Sequence, residues 1–126
     1  MTATLNQRIE AIREAAMCID TIIVTDKDGV EVVSCPSQVL SSGDKRQNTQ
    51  ILSTIFTLTH EQCAKLPEFK SARYLISEFG EAKVMLQSHN PPVVITIEAD
   101  RRKASDAKLI EVLRQVSKEL SVIKQL

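Results

Sequence analysis

The 126-residue chain has few of the residues on which several kinds of function depend. It has no tryptophan, one tyrosine and three phenylalanines, so aromatic residues make up only 3% of the chain. Proteins that bind single-stranded nucleic acids stack the bases on aromatic rings, and this chain is short of such rings. Its only glycines are Gly29, Gly43 and Gly80, which are too few and too dispersed to form a glycine-rich phosphate loop.

An excess of charge of either sign is also absent. The chain carries 16 basic and 16 acidic residues, and its formal net charge is +0. Such a balance creates no long-range field that would steer the protein toward nucleic acid or acidic lipid, so we predict no nucleic-acid partner. The densest basic run, Arg101-Arg102-Lys103, is interpreted as solvated side chains near a helix start, with contact to an acidic partner as the alternative.

Long hydrophobic runs are missing as well. No window reaches 18 uncharged apolar residues, so the sequence predicts no transmembrane helix. The first residues, MTATLNQRIEAIREAAM, carry charges every few positions and are not typical of a signal peptide. Thr2 follows Met1, where an N-myristoylation signal requires glycine. We therefore expect no direct membrane insertion, and any location at a membrane would depend on a partner.

Three widely spaced cysteines, Cys18, Cys35 and Cys63, are an odd number without a Cys-x-x-Cys pair. This pattern favours reduced core thiols in the cytosol over a disulfide framework or a zinc site. A thiol-dependent enzyme that uses Cys18 or Cys63 is the alternative from a different functional class.

Length and hydrophobic periodicity predict one compact α+β domain over residues 1–126. The element order is α-β-β-α-β-β-β-α, and short hairpin connections make the five-stranded sheet mainly antiparallel, with three helices covering its faces. A stripe of Leu5, Ile9, Ile12 and Ala16 marks the first helix. The other predicted ranges are strands 18–25 and 30–35, helix 50–66, strands 71–79, 82–88 and 93–98, and a last helix capped by Ser105.

The stretch TIIVTDKDGVEVVSC, residues 21–35, has two acidic residues just before a glycine, as in the start of a calcium loop. Counted from Asp26, Gly29 falls at position 4 and Ser37 at position 12, where an EF-hand needs glycine at 6 and glutamate at 12. The flanks are rich in β-branched residues typical of strands, whereas an EF-hand has flanking helices. Aspartate and glycine are favoured in tight turns, so we predict a turn and no bound metal.

The histidines do not form a recognisable site in the sequence. His60 would match a zinc-protease helix only with a second histidine at position 64, which is Ala64. His60 and Cys63 are three apart and could supply two ligands, but no second pair completes a metal site. We interpret His60 as a residue of the helix's polar side and His89 as part of a turn before two prolines. No nucleophile, base and orienting group are grouped together, so we predict no catalysis and no cofactor.

Two stretches are more apolar than a closed single chain requires. SARYLIS, residues 71–77, contains one charge, Arg73, and as an edge strand it would offer unpaired backbone groups to another chain. The second helix carries Ile51 and Leu58 away from its main apolar stripe. Either both stretches are buried within the monomer, or they join two subunits by β-strand addition with helix packing beside it. We favour the second interpretation.

The ordered set of motifs resembles the roadblock family of small dynein-light-chain-type domains. The resemblance is carried by IIVTDKDGVEVV at residues 22–33, by Leu52-Ser53-Thr54 and by Pro92-Val93-Val94. It covers about residues 16 to 100 in order. Within the family, the chain is most similar to the subgroup that scaffolds mitogen-activated protein (MAP) kinases as part of the late endosomal/lysosomal Ragulator complex.

The resemblance implies a three-layer sandwich with strand order 2-1-5-4-3, the first and third helices on one face and the second helix on the other. It also implies that the third strand is an edge that pairs with the same strand of a related subunit, while the second helices pack together. The partner-binding residues implied in this way are Ile51, Ile55, Leu58 and Gln62 on the helix and Arg73, Tyr74, Leu75, Ile76 and Ser77 on the strand.

The function that the resemblance implies is that of a non-catalytic scaffold subunit. Its expected partners are another roadblock-domain subunit in a heterodimer, Ragulator subunits including a lipidated anchor, Rag GTPases of amino-acid and mTOR signalling, and MAP kinase cascade kinases. The expected location is the cytoplasm and the cytosolic face of late endosomes and lysosomes. The alternative within the family is a homodimeric roadblock-type dynein light chain that links cargo to the motor.

Overall fold

The computed structural model describes residues 4–70 and 72–124, with side chains described through residue 121. The elements are α1 (Leu5–Ala16), β1 (Ile19–Asp26), β2 (Glu31–Cys35), a short 3-10 helix (Val39–Ser41), α2 (Gly43–Ala64), β3 (Tyr74–Phe79), β4 (Lys83–Asn90), β5 (Val93–Asp100) and α3 (Asp106–Lys124). The predicted α+β order of helices and strands is confirmed.

The five strands form one sheet in the order β2-β1-β5-β4-β3, as the resemblance implied. Every neighbouring pair is antiparallel. The long central pairing of β1 with β5 sets Ile22 opposite Ile97, and β4 continues the sheet with Leu86 opposite Ile97. Consequently β3 and β2 lie at the two edges of the sheet.

The two faces of the sheet differ in chemistry. The face under α1 and α3 is a continuous apolar core that includes Ile22 and Val24 of β1 together with Ile9 and Leu109 of the helices. Ile23 lies between Ile22 and Val24, so by strand alternation it faces α2 on the other side. The apolar residues on the α1 and α3 face supply the main hydrophobic stabilisation, at roughly 25 cal/mol for each Å² of apolar surface buried.

Helix starts agree with the residues expected to cap them. Lys108 N donates to Ser105 Oγ at 3.2 Å, which confirms Ser105 as the cap of α3. At α1, Thr4 forms a capping box: Gln7 N donates to Thr4 Oγ1 at 3.2 Å, and Thr4 N donates to Gln7 Oε1 at 2.9 Å. These bonds satisfy backbone N–H groups that have no partner inside the first helical turn.

The acidic stretch between β1 and β2 is a turn, as predicted. Asp26 Oδ1 accepts hydrogen bonds from Asp28 N at 2.8 Å and from Val30 N at 2.9 Å. Gly29 adopts φ +87°, in the left-handed region that favours glycine. The Asp26 carboxylate therefore organises the loop through its own backbone.

The predicted start of α2 was wrong. The helix begins at Gly43, inside the polar stretch predicted as a loop and its approach to a helix, and it ends at Ala64. Ser42 caps it, accepting from Lys45 N at 3.5 Å. The first turns contact the sheet through polar residues, with Thr49 only 4% exposed, so no apolar periodicity announced them.

Several boundaries in the second half of the sheet also differ from the predictions. β3 begins at Tyr74, and the hairpin between β3 and β4 has a three-residue loop, Gly80–Ala82, where a two-residue turn was predicted. His89 lies in β4 opposite Val94, so its assignment to a turn was wrong, and only Pro91 and Pro92 connect β4 to β5. Prolines cannot donate to the ladder, but residues up to the first proline can still pair.

Candidate partner-binding surface

The four residues predicted on α2 form one exposed row. Ile51, Ile55 and Leu58 are 52%, 50% and 53% exposed, and Gln62 is also exposed. Their spacings of four, three and four place them on the same side of the helix. For these residues, burial within the monomer is excluded.

The opposite side of α2 packs on the sheet through residues of a different kind. Its buried residues are Thr49, Ser53 and Phe56. Ser53 Oγ hydrogen-bonds Thr25 Oγ1 at 3.2 Å, and Gln87 Nε2 donates to the Leu52 carbonyl at 3.0 Å. An ordinary surface helix buries its large aliphatic residues and exposes its polar ones. In α2 three large aliphatic side chains instead point away from the sheet.

The other predicted residues lie at the sheet edge beside this helix. Tyr74, Leu75, Ile76 and Ser77 belong to β3, and Arg73 directly precedes it. In the part of the chain that the structure describes, β3 pairs with β4 alone. Alternate N–H and C=O groups of β3 therefore point to an open edge, where a strand of another chain can bind.

Phe79, which the sequence did not single out, connects the exposed row of α2 to the open edge strand β3. It ends β3 and is 44% exposed. Together with Ile51 and Leu52 of α2 and Met85 of β4, it lines a cavity of about 260 Å³. We use the name docking surface for Ile51, Ile55, Leu58 and Gln62 of α2 together with Arg73 and strand β3 through Phe79. A contiguous apolar patch beside a free edge is typical of a protein-binding site.

A buried ion pair lies under the docking surface and connects α2 to the centre of the sheet. Lys45 Nζ donates to Glu98 Oε1 at 2.8 Å and to Oε2 at 2.6 Å, and Thr21 Oγ1 donates to Oε2 at 2.8 Å. Burial acts to raise the pKa of Glu98, but the hydrogen bonds from Lys45 and Thr21 outweigh it and hold the pKa below its ordinary value. Glu98 is therefore ionised at neutral pH.

The two histidines are brought together at the other end of α2. His60 Nδ1 lies 2.9 Å from the Ala72 carbonyl oxygen, and His60 Nε2 lies 3.2 Å from His89 Nδ1. A carbonyl only accepts, so His60 Nδ1 donates, and in the neutral pair His60 Nε2 accepts from His89 Nδ1. Burial and then the neighbouring His60 lower the pKa of His89. His60 is thus a link between α2, β4 and the segment before β3, which corrects its interpretation as a polar-side residue.

The cysteines differ in their surroundings. Cys35 is fully buried, and burial followed by a hydrogen bond with Glu10 raises its pKa to about 12. Cys18 and Cys63 are half-buried; Cys18 packs against the core, as predicted, whereas Cys63 is not part of the core cluster. Within residues 4–70 and 72–124, no three His, Cys, Asp or Glu side chains are grouped as metal ligands.

Cys35 is expected to react with bromobimane at least a hundredfold more slowly than a free cysteine, on the order of its low thiolate fraction near pH 8. The measurement is a labelling time course followed by peptide mass spectrometry, with labelling in urea as the control for access. Labelling of native Cys35 at the rate of a free thiol would contradict the burial. Unusually fast labelling of Cys18 or Cys63 would support the thiol-enzyme alternative.

None of the helices that the structure describes has the length and hydropathy needed to cross a membrane.

Solved structures of other proteins share this architecture. The Roadblock/LC7 domain from Streptomyces avermitilis superposes with a TM-score of 0.80 at 12% identity, covering 98% of this chain and 100% of that chain. Myxococcus xanthus MglB gives 0.78 at 17% identity, covering 97% and 96%. A structure described as MglB with tetrameric arrangement gives 0.73 at 12% identity, covering 98% and 92%. No curated protein sequence matches the chain.

The sheet order, the three helices and these structural neighbours define the class of protein: it is a roadblock-fold domain. More particularly, the chain belongs to the family described as "Mitogen-activated protein kinase kinase 1 interacting", whose profile matches residues 3–126. It is therefore a small adaptor protein of a family that is generally non-catalytic. Partner binding by the individual residues of the docking surface stays a prediction.

Proposed function

We propose that this chain is a non-catalytic scaffold subunit that forms a heterodimer with another roadblock-domain protein through the docking surface. The observation that carries the proposal is the exposed row of Ile51, Ile55 and Leu58 beside the open edge of β3. Strand addition would satisfy the free backbone groups of β3, and a partner helix on α2 would remove the aliphatic row from water.

The cavity beside Phe79 lies at one end of the docking surface, where Ile51 of α2 and the last residue of β3 meet. Its lining combines apolar side chains, among them Ile51, Phe79 and Met85, with the polar and charged Lys45, Asn48, Lys83 and Glu98. A partner side chain that fills this cavity would contact Ile51 and Phe79 together, and well-packed contacts of this kind often contribute strongly to binding. The tetrameric arrangement described for one MglB structure supports the capacity of this fold for assembly.

We further propose that the heterodimer recruits MAP kinase pathway components and Rag GTPases to the cytosolic face of late endosomes and lysosomes. In this proposal it acts within a Ragulator-type complex, and a lipidated partner supplies the membrane anchor. The description of the family as interacting with mitogen-activated protein kinase kinase 1 supports the kinase branch of the proposal. The resemblance to the scaffold subgroup is the support for the other partners and for the location.

A homodimeric light chain that links cargo to a motor is the second candidate. It is favoured by the uncharged character of Ile51, Ile55 and Leu58, which creates no electrostatic barrier to contact with a second copy. Sedimentation of the purified chain separates the two candidates. A stable homodimer supports the light chain, whereas a monomer that pairs on co-expression with another roadblock protein supports the scaffold subunit.

Replacing Ile55 or Leu58 with aspartate is expected to reduce recovery of a roadblock partner at least about tenfold, because a buried charge replaces an apolar contact. The measurement is affinity purification of the tagged chain, with the bound roadblock subunits quantified by mass spectrometry. Both positions are about half exposed in the single chain, so the fold should be retained, and circular dichroism checks this.

The matched control is Met17→Asp. Met17 is an apolar residue that is 88% exposed, and it lies at the C-terminal end of α1, outside the docking surface. It has φ +63°, a conformation that aspartate tolerates comparatively well. The control should leave recovery unchanged. Equal recovery with Ile55→Asp, Leu58→Asp and Met17→Asp would exclude α2 as the interface.

A further inference from the structure

We propose that the groove between α3 and the start of β3 binds an acidic segment of a protein. This groove has a volume of about 530 Å³ and lies on the sheet face opposite α2. Its cationic side chains are Arg73 beside β3 and Arg114 and Lys118 on α3. Ile110 and Leu113 contribute apolar surface between them, and we call these five residues together the cationic groove.

The three cations of the groove are not neutralised by any acidic side chain that the structure describes. In the part of the chain that the structure describes, the side chains of Arg73, Arg114 and Lys118 make no ion pair, and no acidic residue lines the groove. The nearby acidic residues of α3 are already paired: Glu111 with Lys108 at 3.7 Å, and Glu119 with Arg8 at 3.5 Å. In a chain of zero net charge, such a cluster creates a local positive potential.

The basic run that stands out in the sequence behaves differently. Arg101 pairs with Glu78 and with Asp106 at 2.7 Å each, and Arg102 pairs with Asp100 at 2.9 Å. Its arginines are therefore neutralised within the chain. The cationic groove was not apparent from the sequence because its charges come from two elements that are distant along the chain and adjacent in space.

The shape of the groove favours a protein segment as its occupant. Arg114 and Lys118 are four apart and share one side of α3, with Arg73 on the neighbouring element. Leu113 is 8% exposed, so the groove combines cations with an apolar floor. A segment with carboxylates around one aliphatic residue matches both features. A flat bilayer would not reach the floor, and Tyr74 alone gives little surface for stacking nucleic-acid bases.

The position of the groove supports the same occupant. Tyr74 is the first residue of β3 and also lines the groove. A chain that adds to the edge of β3 can therefore continue into the cationic groove. The groove shares Arg73 and Tyr74 with the docking surface but contains none of its α2 residues, so variants of Arg114 and Lys118 test the groove separately from the proposed heterodimer.

The test uses the purified full chain and three labelled heptapeptides, EEELEEE, QQQLQQQ and KKKLKKK, in fluorescence anisotropy at low and at physiological salt. EEELEEE is expected to bind saturably, and more weakly as salt rises, while the other two do not. Arg114→Gln/Lys118→Gln should weaken its affinity about fivefold or more, from the loss of two ion pairs. The matched control, Arg102→Gln/Lys103→Gln, removes two positive charges outside the groove and should change the affinity less than about twofold.

Absence of saturable EEELEEE binding, or an equal loss of affinity in both double variants, would overturn the proposal. A further experiment measures binding of the chain to vesicles of phosphatidylcholine and phosphatidylserine. If they bind the chain through Arg114 and Lys118 while EEELEEE does not, a membrane surface is the occupant and the proposal is wrong. Ile55→Asp should leave EEELEEE binding intact, which keeps failure of the groove distinguishable from failure of the docking surface.

Discussion

Replacing Gly29 with alanine is expected to lower the free energy of unfolding by about 2–4 kcal/mol, the combined cost of a left-handed alanine and of steric overlap. Gly29 has φ +87°, which L-residues with a Cβ rarely adopt. A Cβ at this position would lie 2.5 Å from Gln50 Cα, a backbone atom of α2. The hairpin and the helix would have to separate to make room.

Gly80→Ala is the matched control for this prediction. Gly80 also has a positive φ, +64°, but a Cβ there would meet nothing within 4 Å. Gly80→Ala should therefore lower the free energy of unfolding by only about 1 kcal/mol, the cost of placing an alanine in the left-handed conformation. Urea denaturation of both variants at neutral pH gives the two values. Equal destabilisation by both substitutions would mean that the close approach between the hairpin and α2 does not matter to stability.

The contact at Gly29 has a consequence for partner binding. Thr57 Oγ1 donates to the Lys27 carbonyl at 3.4 Å, so the β1–β2 turn contacts α2 at two points, one of them near Leu58. A displaced turn would alter how α2 lies on the sheet. Gly29→Ala is therefore expected to weaken association through the docking surface as well, although Gly29 is not part of it.

The parts of the fold that local residue patterns encode could be predicted from the sequence. The Asp26 turn and the Ser105 cap depend on side chains that bond the backbone within a few residues, so their signals are contiguous. The start of α2 could not be predicted in this way. Its first turns carry Lys45, which pairs with the distant Glu98 of β5, and the buried Thr49, and neither residue belongs to an apolar stripe.

The candidate site was likewise only partly predictable from the sequence. The row on α2 was visible because Ile51 and Leu58 depart from the main apolar stripe of the helix, whereas Phe79 was missed because a phenylalanine at the end of a strand is also compatible with burial. The link between His60 and His89 joins residues that are 29 positions apart. Such contacts follow from the packing of α2 on β4, and this packing cannot be inferred from a local residue pattern.

Lys45→Met is expected to lower the free energy of unfolding by about 2–4 kcal/mol at neutral pH, because it leaves the Glu98 carboxylate buried without its counter-charge. The Glu98 side chain is only 7% exposed, so its charge is largely removed from solvent and depends on its protein partners. Lys108→Met is the control of the same chemistry at the surface. Lys108 pairs with Glu111 at 3.7 Å with both side chains at least one-third exposed, and its loss should cost under about 0.5 kcal/mol.

The pH dependence distinguishes loss of the charge pair from loss of packing. In the native protein the pKa of Glu98 is lowered, so its contribution to stability is present above the unfolded-state pKa and is lost as the pH falls through the folded-state pKa. Without Lys45, burial dominates and the pKa of Glu98 rises, so the carboxyl group becomes protonated on mild acidification and the penalty disappears. The difference between Lys45→Met and the native protein should therefore begin to narrow above the ordinary glutamate pKa of about 4.3 and continue to narrow below it.

Adding Glu98→Gln to Lys45→Met should recover most of the stability, since the glutamine oxygen still accepts from Thr21 Oγ1 and no charge is left to desolvate. The measurement is urea denaturation of the single and double variants across the acidic range. A stability difference that stays constant with pH, together with no recovery in the double variant, would show that Lys45 acts through the packing of its aliphatic chain. In that case α2 would be held on the sheet by shape, and the ion pair with Glu98 would contribute little.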